Sequence, residues 1–333
     1  MRARGRGAAV VLALAALISA CGDDAGPAAD DAGATGTPAG AYPVTVEHHF
    51  GTVELAEAPE RVVSLGYTDQ DAIVLFGVEP IAVRYAFGPE DDLFFPWADE
   101  QAGDADPEVL PRAEVNVEQV AALDPDLIMA VTAGLTREQY DTLSAVAPVV
   151  VQPEGYPDYG TPWDVHTRLA GRVFGQEERA QEVVDDVHAQ VADAVRAHPE
   201  LAGRTVALSG PTYDGEYPFH ASSDTRTRFF TDLGLVVPAA LDEIAGPEFY
   251  GTVSRERADL LDADVLLFQS GSAEERAAIE ADPILAGLAA VRDGRSLFVE
   301  GTDYDALQFS SALSLPYLLE HLVPKLAALP APR

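Results

Sequence analysis

The chain has 333 residues, 47% of them hydrophobic, and its 55 acidic residues outnumber 21 basic ones to give a formal net charge of −34. This composition predicts a folded globular protein, and the length suits two domains of ordinary size. So negative a surface excludes electrostatic binding to nucleic acid or anionic lipid. We interpret the acidity as a solvated surface rather than a device that captures cations.

The first twenty residues have the pattern of an export signal. Three arginines precede the apolar run AAVVLALAALISA, which is too short to span a bilayer comfortably. The run ends in LISAC, which resembles the lipobox of bacterial lipoproteins and implies cleavage after residue 20 and a lipid on Cys21. Cys21 is the single cysteine, so it cannot form an internal disulfide. An ordinary secretory signal with an incidental cysteine is the alternative.

Residues 21–43 are rich in Gly, Ala, Asp and Pro and contain almost no large apolar side chain. Such a segment cannot bury a core, so we expect a flexible tether whose coil dimension is on the order of 25 Å. The globular part is predicted to begin near Val44. No later apolar stretch approaches the length of a membrane span.

From Arg61 onward, short β-rich runs such as RVVSL, PIAVRY and DLIMAVTA alternate with helical patterns such as NVEQVAALDP and TREQYDTLSAVA. Strands that alternate with helices of about ten residues predict βαβ units and a mainly parallel sheet. The same plan occurs in residues 44–163 and again in 201–329. The predicted fold class is therefore α/β, with an N-terminal and a C-terminal Rossmann-like lobe.

Residues 164–200 lie between the lobes and contain a long amphipathic pattern. Ala180, Val184, Val187 and Val191 keep a 3.6-residue spacing through about six turns, which Pro199 ends. A helix of this length measures about 30 Å, enough to join the lobes as one rigid helix. The alternative is that it packs wholly within one lobe.

One motif occurs twice, as NVEQVAALDPDLIMA from Asn116 and as SRERADLLDADVLLF from Ser254. Asn116 and Ser254 are predicted helix N-caps, and Glu118 and Glu256 follow at the second helical position. The simplest interpretation is that each acid stabilises the positive end of a helix dipole. Because the acid recurs at the same phase, we also consider that the two lobes present matching acids to a twofold partner.

These segments, in this order, resemble the iron-siderophore and cobalamin branch of the bacterial ABC-transporter substrate-binding proteins. PERVVSLGYTDQDAIVLFGVEPIAVR resembles the family's opening, VNVEQVAALDPDLIMA its most recognisable segment, and QFSSALSLPYLLEHLVPKL a late one. The resemblance covers Val44 to Leu329. It implies a monomeric binding protein, lipid-anchored at the outer face of the cell membrane, that captures a ferric chelate and delivers it to a permease dimer. It also implies that Glu118 and Glu256 dock onto permease arginines, and that the protein has no intrinsic cofactor.

The ligand is expected beyond the carboxyl ends of the strands, where the two lobes face each other. Arginine suits an oxygen-coordinated, often anionic chelate because its fork donates several hydrogen bonds and stacks on flat π systems. Tyrosine and tryptophan add apolar area with a polar tip. The predicted ligand-binding residues are Arg84, Tyr85, Trp97, Tyr213, Arg226, Tyr250 and Tyr304. Loop residues considered with them include Tyr67, Tyr156, Tyr159 and Trp163.

The acidic surface favours a ligand of low negative charge, so a trihydroxamate complex fits slightly better than a tris-catecholate. Haem and cobalamin stay open as alternatives within the family. A zinc or manganese site is disfavoured because the seven histidines show no ligand spacing. The chain also lacks the G-x-S-x-G, phosphate-loop and dinucleotide motifs, which argues against an enzyme.

Overall fold

A computed structural model describes residues 41–88, 93–112 and 115–332. The proposed export signal, Cys21 and nearly all of the proposed tether lie outside these residues. Within the described residues, no helix is long and apolar enough to cross a membrane.

The N-terminal lobe is a five-stranded parallel sheet preceded by a hairpin. Its strands are β1 (Val44–His48), β2 (Gly51–Leu55), β3 (Val62–Ser64), β4 (Ala82–Arg84), β5 (Glu108–Leu110), β6 (Leu127–Ala130) and β7 (Val149–Val151). Its helices are α1 (Asp69–Leu75), α2 (Asp99–Ala102), α3 (Val117–Ala122), α4 (Arg137–Leu143) and α5 (Trp163–Val173). The sheet order is β5-β4-β3-β6-β7, and β1 pairs antiparallel with β2.

Helices cover both faces of this sheet, which explains why its strands are apolar throughout. Leu127 and Met129 point into one buried cluster, and Ile128 and Ala130 point into the other. Successive side chains of a strand point to opposite faces, so a strand that is buried on both sides shows no polar alternation. The run LIMA is therefore a central strand.

The C-terminal lobe is reached through α6 (Glu177–Ala197) and a 3₁₀ turn at Pro199–Leu201. Its strands are β8 (Val206–Ser209), β9 (Tyr217–His220), β10 (Tyr250–Val253), β11 (Val265–Ser270) and β12 (Ser296–Glu300). Its helices are α7 (Thr225–Asp232), α8 (Ala239–Ala245), α9 (Ala273–Glu280), α10 (Pro283–Gly287), α11 (Ala289–Arg292), α12 (Thr302–Leu307), α13 (Ser314–His321) and α14 (Val323–Ala327). The order is β10-β9-β8-β11-β12, with β8, β11 and β12 parallel and β9 antiparallel to both of its neighbours.

The long helix α6 packs on both lobes. Ala180, near its start, is buried in a core cluster of the N-terminal lobe, and Val187, at its middle, is buried in the core of the C-terminal lobe. Its 21 residues span about 30 Å. The predicted α/β class, with two mainly parallel lobes joined by one long helix, is confirmed.

The helix predicted after Ser254 was wrong in type. The segment SRERADLLDA is not an α-helix but a 3₁₀ helix, Arg255–Leu261, which is kinked at Arg257. Proline divides two helical stretches of the same lobe: α14 follows α13 directly, with Pro324 in its first turn, and α10 begins at Pro283 shortly after α9. Proline lacks the N–H that a continuing helix needs, so a new helix starts there.

Candidate functional site

The carboxyl edges of the two sheets face each other across an inter-lobe cleft. In the N-terminal lobe, β3 leads to Tyr67 and β4 ends at Arg84; in the C-terminal lobe, β12 leads to Tyr304 on α12. Phe309, just after α12, lies 5.2 Å from the ring of Tyr67, so side chains of the two lobes meet at these edges. Clefts of this kind are where open α/β sheets bind ligands.

Four rings form one aromatic group in the cleft: Tyr67, Phe87, Tyr159 and Phe309, which we call the cleft aromatics. Tyr67 stacks on Tyr159 at 5.7 Å with an interplanar angle of 15°, and Phe309 lies 6.1 Å from Tyr159 and 6.2 Å from Phe87. All four are half-buried. They therefore offer apolar ring surface to a ligand without being sealed in the core.

The backbone around Tyr159 is specialised for this position. Tyr159 has a φ of 62°, and its hydroxyl donates to the carbonyl of Ala133 at 3.2 Å. A Cβ at Gly134 would come within 2.4 Å of that hydroxyl, and Gly134 itself has a φ of 60°. Only glycine lets the ring approach the chain this closely.

Arg84 places a positive charge against Tyr67, one of the cleft aromatics. Its guanidinium donates to the carbonyls of Arg112 (2.9 Å) and Leu65 (3.4 Å) and lies 5.1 Å from the ring centre of Tyr67. Among the described residues it forms no ion pair. Because Arg84 is 8% exposed and its guanidinium contacts only neutral groups, its charge is available to an anionic ligand.

Arg226 lies on the opposite side of the cleft, held by a carboxylate. Its Nε and one terminal nitrogen donate to the two oxygens of Asp224 at 2.8 and 2.9 Å, and its other nitrogen donates to Gln308 at 3.4 Å. Burial opposes ionisation of Asp224, but hydrogen bonds and charge from His220 and Arg226 hold its pKa well below the usual range. Asp224 therefore orients Arg226 and offsets much of its charge.

Tyr304 interacts electrostatically with arginines of both lobes. Burial and the nearby Glu275 raise the pKa of its phenol, while the charges of Arg226 and Arg112 lower it. Arg112 follows β5 in the N-terminal lobe, so the phenol lies within electrostatic reach of the opposite lobe. Sequence reasoning did not single out Arg112.

Trp97 lies at the lobe interface rather than beside Arg84. Its indole N–H donates to the buried Asp71 at 2.9 Å, and its ring stacks on Phe95 at 4.6 Å. Phe95 in turn stacks on Phe87 at 5.5 Å, which connects Trp97 to the cleft aromatics.

The other predicted tyrosines are more peripheral. The hydroxyl of Tyr85 donates to the carbonyl of Gly88 at 2.7 Å. Tyr213 lies in the turn before β9 and is 75% exposed, and Tyr250 lies on the edge strand β10 and is 52% exposed. Among the described residues, Tyr213 and Tyr250 make no contact with the cleft aromatics.

Phe87 and Phe309 are members of the site that sequence reasoning missed. Phe87 comes three residues after the end of β4, so its position past a carboxyl strand end was available as a signal. Phe309 follows a helix, and nothing in its sequence context predicts that it crosses to the other lobe.

The repeated motif occupies matching places in the two lobes. Asn116 caps α3 through a bond from the backbone N–H of Gln119 at 3.1 Å, whereas the side chain of Ser254 caps no backbone N–H. Glu118 and Glu256 are both exposed. Glu118 is in the first turn of α3, the helix that follows β5, and Glu256 is in the first turn of the 3₁₀ helix that follows β10. Both strands end at the carboxyl edge of their sheet, so both glutamates lie on the cleft side of their lobes.

The described residues contain no group of three or more His, Cys, Asp or Glu side chains that could hold a metal ion.

The sequence profile of the periplasmic binding protein family matches residues 74–299. This chain belongs to that family. The predicted resemblance is thereby confirmed, and the chain is a binding component of a transporter rather than an enzyme.

Two curated relatives are named for binding ferric chelates. The chain is 25% identical over 252 residues to the Fe(3+)-citrate-binding protein YfmC of Bacillus subtilis, which covers 74% of each chain. It is also 25% identical over 294 residues to the ferric-anguibactin-binding protein FatB of Vibrio anguillarum, covering 84% of this chain and 87% of that one.

Solved structures show the same fold. A periplasmic solute binding protein from Mycobacterium smegmatis is 36% identical, with a TM-score of 0.77, over 86% of this chain and 98% of that one. PiaA of Streptococcus pneumoniae, in complex with ferrichrome, is 26% identical, with a TM-score of 0.73, over 85% and 97% of the two chains.

Proposed function

We propose that this protein captures a ferric siderophore in the inter-lobe cleft and delivers it to the permease of an ABC importer. The observation that carries the proposal is Arg84, a buried arginine without an ion-pair partner among the described residues, which lies against the ring of Tyr67, one of the four half-buried cleft aromatics. An anionic oxygen-coordinated metal centre with an organic shell needs this combination of donors and apolar surface. Relatives named for ferric citrate and ferric anguibactin support it.

Within this class we propose a trihydroxamate complex ahead of a tris-catecholate. With a formal net charge of −34, the protein repels a highly anionic ligand over long range, and the local arginines must outweigh that field. Haem and cobalamin are the alternatives, and a zinc or manganese ligand is a more remote one.

A ligand panel tests the proposal. The protein, purified without its first 20 residues, is titrated with ferrichrome, a ferric catecholate, ferric citrate, haem and cobalamin. We expect a dissociation constant of ~1 μM or lower for a ferric siderophore, about −8 kcal/mol, with quenching of tryptophan fluorescence through the ring series that ends at Trp97. If no member of the panel changes the fluorescence or the melting temperature, the assignment is wrong.

We further propose that a lipid on Cys21 anchors the protein at the outer face of the cell membrane and that it acts as a monomer. The LISAC sequence supports the anchor, and the family's relatives include one named as periplasmic, FecB of Escherichia coli. Mass spectrometry of the N-terminus tests this proposal: a diacylated Cys21 is expected, and an unmodified Cys21 in the protein from cells would refute the anchor.

We also propose that Glu118 and Glu256 dock onto arginines of the permease. Their exposure and their matching places on the cleft side of the two lobes support this role. A permease of two like subunits would present one basic patch to each lobe.

A further inference from the structure

A segment of the C-terminal lobe crosses into the N-terminal lobe after α12. Ala312 is 6% exposed and belongs to a core cluster of the N-terminal lobe that includes Ile73 and Phe76. Leu313 packs against the same cluster. The lobes are therefore joined by residues 309–313 as well as by α6.

Ser311 fixes this crossing segment. Its Oγ donates to Oδ2 of Asp71 on α1 at 2.5 Å and accepts from the backbone N–H groups of Leu313 (3.2 Å) and Ser314 (3.0 Å). Because both acceptor positions are used by N–H donors, the hydroxyl proton points at Asp71. Asp71 is 1% exposed and also accepts from the indole of Trp97, so the contact between the lobes is buried and directional.

Ser310, between Phe309 and Ser311, has a strained backbone conformation. Ser310 has a φ of 26°, an unfavourable value for a residue with a side chain. Such a conformation persists only where the surroundings fix the neighbouring residues. On one side Gln308 contacts Arg226 and the carbonyl of Tyr304, at 3.4 and 3.3 Å; on the other side Ser311 is held by Asp71.

The pinned backbone sets where the ring of Phe309 lies. The ring is the one member of the cleft aromatics that the C-terminal lobe contributes, and it lies among three rings of the N-terminal lobe at 5.2 to 6.2 Å. The C-terminal lobe fixes the backbone on one side of Phe309, and the N-terminal lobe fixes it on the other. The aromatic surface of the cleft is thus assembled across both lobes.

We infer that Phe309 is a specificity-determining residue and that Ser311, through Asp71, is the positioning residue that holds it. The inference rests on the proposed function and deepens it: the ligand is a chelate whose organic shell lays an apolar or flat face on a surface that both lobes have already built. Preorganisation of this kind lowers the ordering cost of binding. It also means that little lobe closure is needed.

The test compares four variants with the native protein. Phe309→Ala removes the ring, Phe309→Tyr keeps it, and Ser311→Ala removes the hydrogen bond to Asp71. Phe50→Ala is the matched control, since Phe50 is a half-buried ring that packs on Tyr140 in the N-terminal lobe, outside the cleft aromatics. With ferrichrome or whichever panel member binds, we expect Phe309→Ala and Ser311→Ala to weaken binding about tenfold, and Phe309→Tyr and Phe50→Ala to stay within about twofold.

A second measurement needs no ligand. Amide hydrogen exchange in residues 67–76, which lie across the interface from the crossing segment, is expected to speed up several-fold in Ser311→Ala and in Phe309→Ala but not in Phe50→Ala. Unchanged exchange in both cleft variants overturns the inference, and so does native-like affinity of Phe309→Ala. If the native protein binds no panel member while exchange changes as expected, the proposed function fails and the assembled cleft stands.

Discussion

Arg84 and Arg226 show how a charged side chain can be either available to a ligand or committed to the protein. Both occupy the cleft and both are largely buried, but Asp224 accepts two hydrogen bonds from the side chain of Arg226, while Arg84 donates only to neutral groups, two carbonyls and the hydroxyl of Tyr67. Burying a charge without a paired ion costs free energy. Native structures keep such unfavourable features mainly at functional sites. The sequence identifies both arginines as cleft residues, but it does not distinguish them, because the acceptors of Arg84 are backbone carbonyls 19 and 28 positions away, which no sequence pattern marks.

Arg84→Gln should weaken ligand binding more than it weakens the fold. The amide can still donate to a carbonyl, but the positive charge is lost, and a hydrogen bond to a charged group contributes about 1.5–3 kcal/mol, roughly tenfold or more in affinity. Isothermal titration with the ligand found in the panel measures this. Arg172→Gln, which breaks an exposed pair with Glu177, is the control and should bind normally. Equal affinities of the two variants would remove Arg84 from the site.

Asp71 gives a prediction on pH. Burial raises its pKa to about 6, although hydrogen bonds from Ser311 and Trp97 lower it. Its ordinary pKa is about 3.9, so the folded protein binds this proton more tightly than the unfolded chain, and the free energy of unfolding falls as pH rises from about 4 to about 6. Relative to Asp71→Asn, which does not titrate, the native protein should lose about 1 kcal/mol between pH 5 and pH 7.5.

Urea unfolding of both proteins at the two pH values measures this difference. Burial lowers the pKa of the neighbouring His166, whose contribution has the opposite sign, but His166 is present in both proteins and cancels. A difference that is independent of pH would show that Asp71 titrates normally.

At the scale of elements, the repeated motif is a structural unit as well as a candidate docking feature. Asp126 accepts from the backbone N–H groups of Glu60 and Arg61, just before β3, and Asp264 accepts from that of Thr205, just before β8. In each lobe, the aspartate at the same place in the motif fixes the start of the neighbouring strand. This explains why both aspartates recur: each supplies the charged acceptor that the strand entry needs.

Asp126→Ala and Asp264→Ala should each lower the free energy of unfolding by about 1–2 kcal/mol, because backbone donors lose a charged acceptor. Both positions lie at the end of the sheet opposite the cleft, so ligand affinity should not change. Asp259→Ala is the control, since its exposed carboxylate has no hydrogen-bond partner among the described residues, and it should cost less than about 0.5 kcal/mol. Chemical denaturation of the three variants decides whether the repeat has this structural role.

The elements that could be predicted are those whose signal is local. Runs such as LIMA and the spacing around Val184 and Val187 identify strands and the long helix because burial imposes a period on nearby residues. The antiparallel β9 and β10 and the hairpin β1–β2 were not predicted, since each strand has only four or five residues and lies outside the strand–helix alternation that identified the others. Phe309 was missed for another reason. Its position depends on Ser311, two residues later, whose hydrogen-bond partner Asp71 lies 240 positions away in sequence.

For the whole molecule, we expect the two lobes to act as one preassembled body. α6 packs on the cores of both lobes, and residues 309–313 form a second connection between the lobes. A binding protein that changes little on capturing its ligand must signal its loaded state to a permease through small differences at the cleft rim. Recognition by fixed surface charges suits such a molecule.

The docking prediction follows from this rigidity. Glu118 and Glu256 are exposed, and exposed charges contribute little to folding, but at an interface they steer encounter and fix register. Changing both to arginine should leave the melting temperature and the ligand affinity within error, because neither residue belongs to the cleft aromatics or the arginine sites. Uptake of the labelled ferric ligand by cells that depend on this protein should be abolished, since two attractive contacts become two repulsive ones. The matched control is Glu138→Arg with Glu274→Arg, one first-turn glutamate from a different helix of each lobe, which changes the net charge equally and should transport normally. If the Glu118 and Glu256 variant also transports normally, the recurrence of these acids reflects helix-end electrostatics alone.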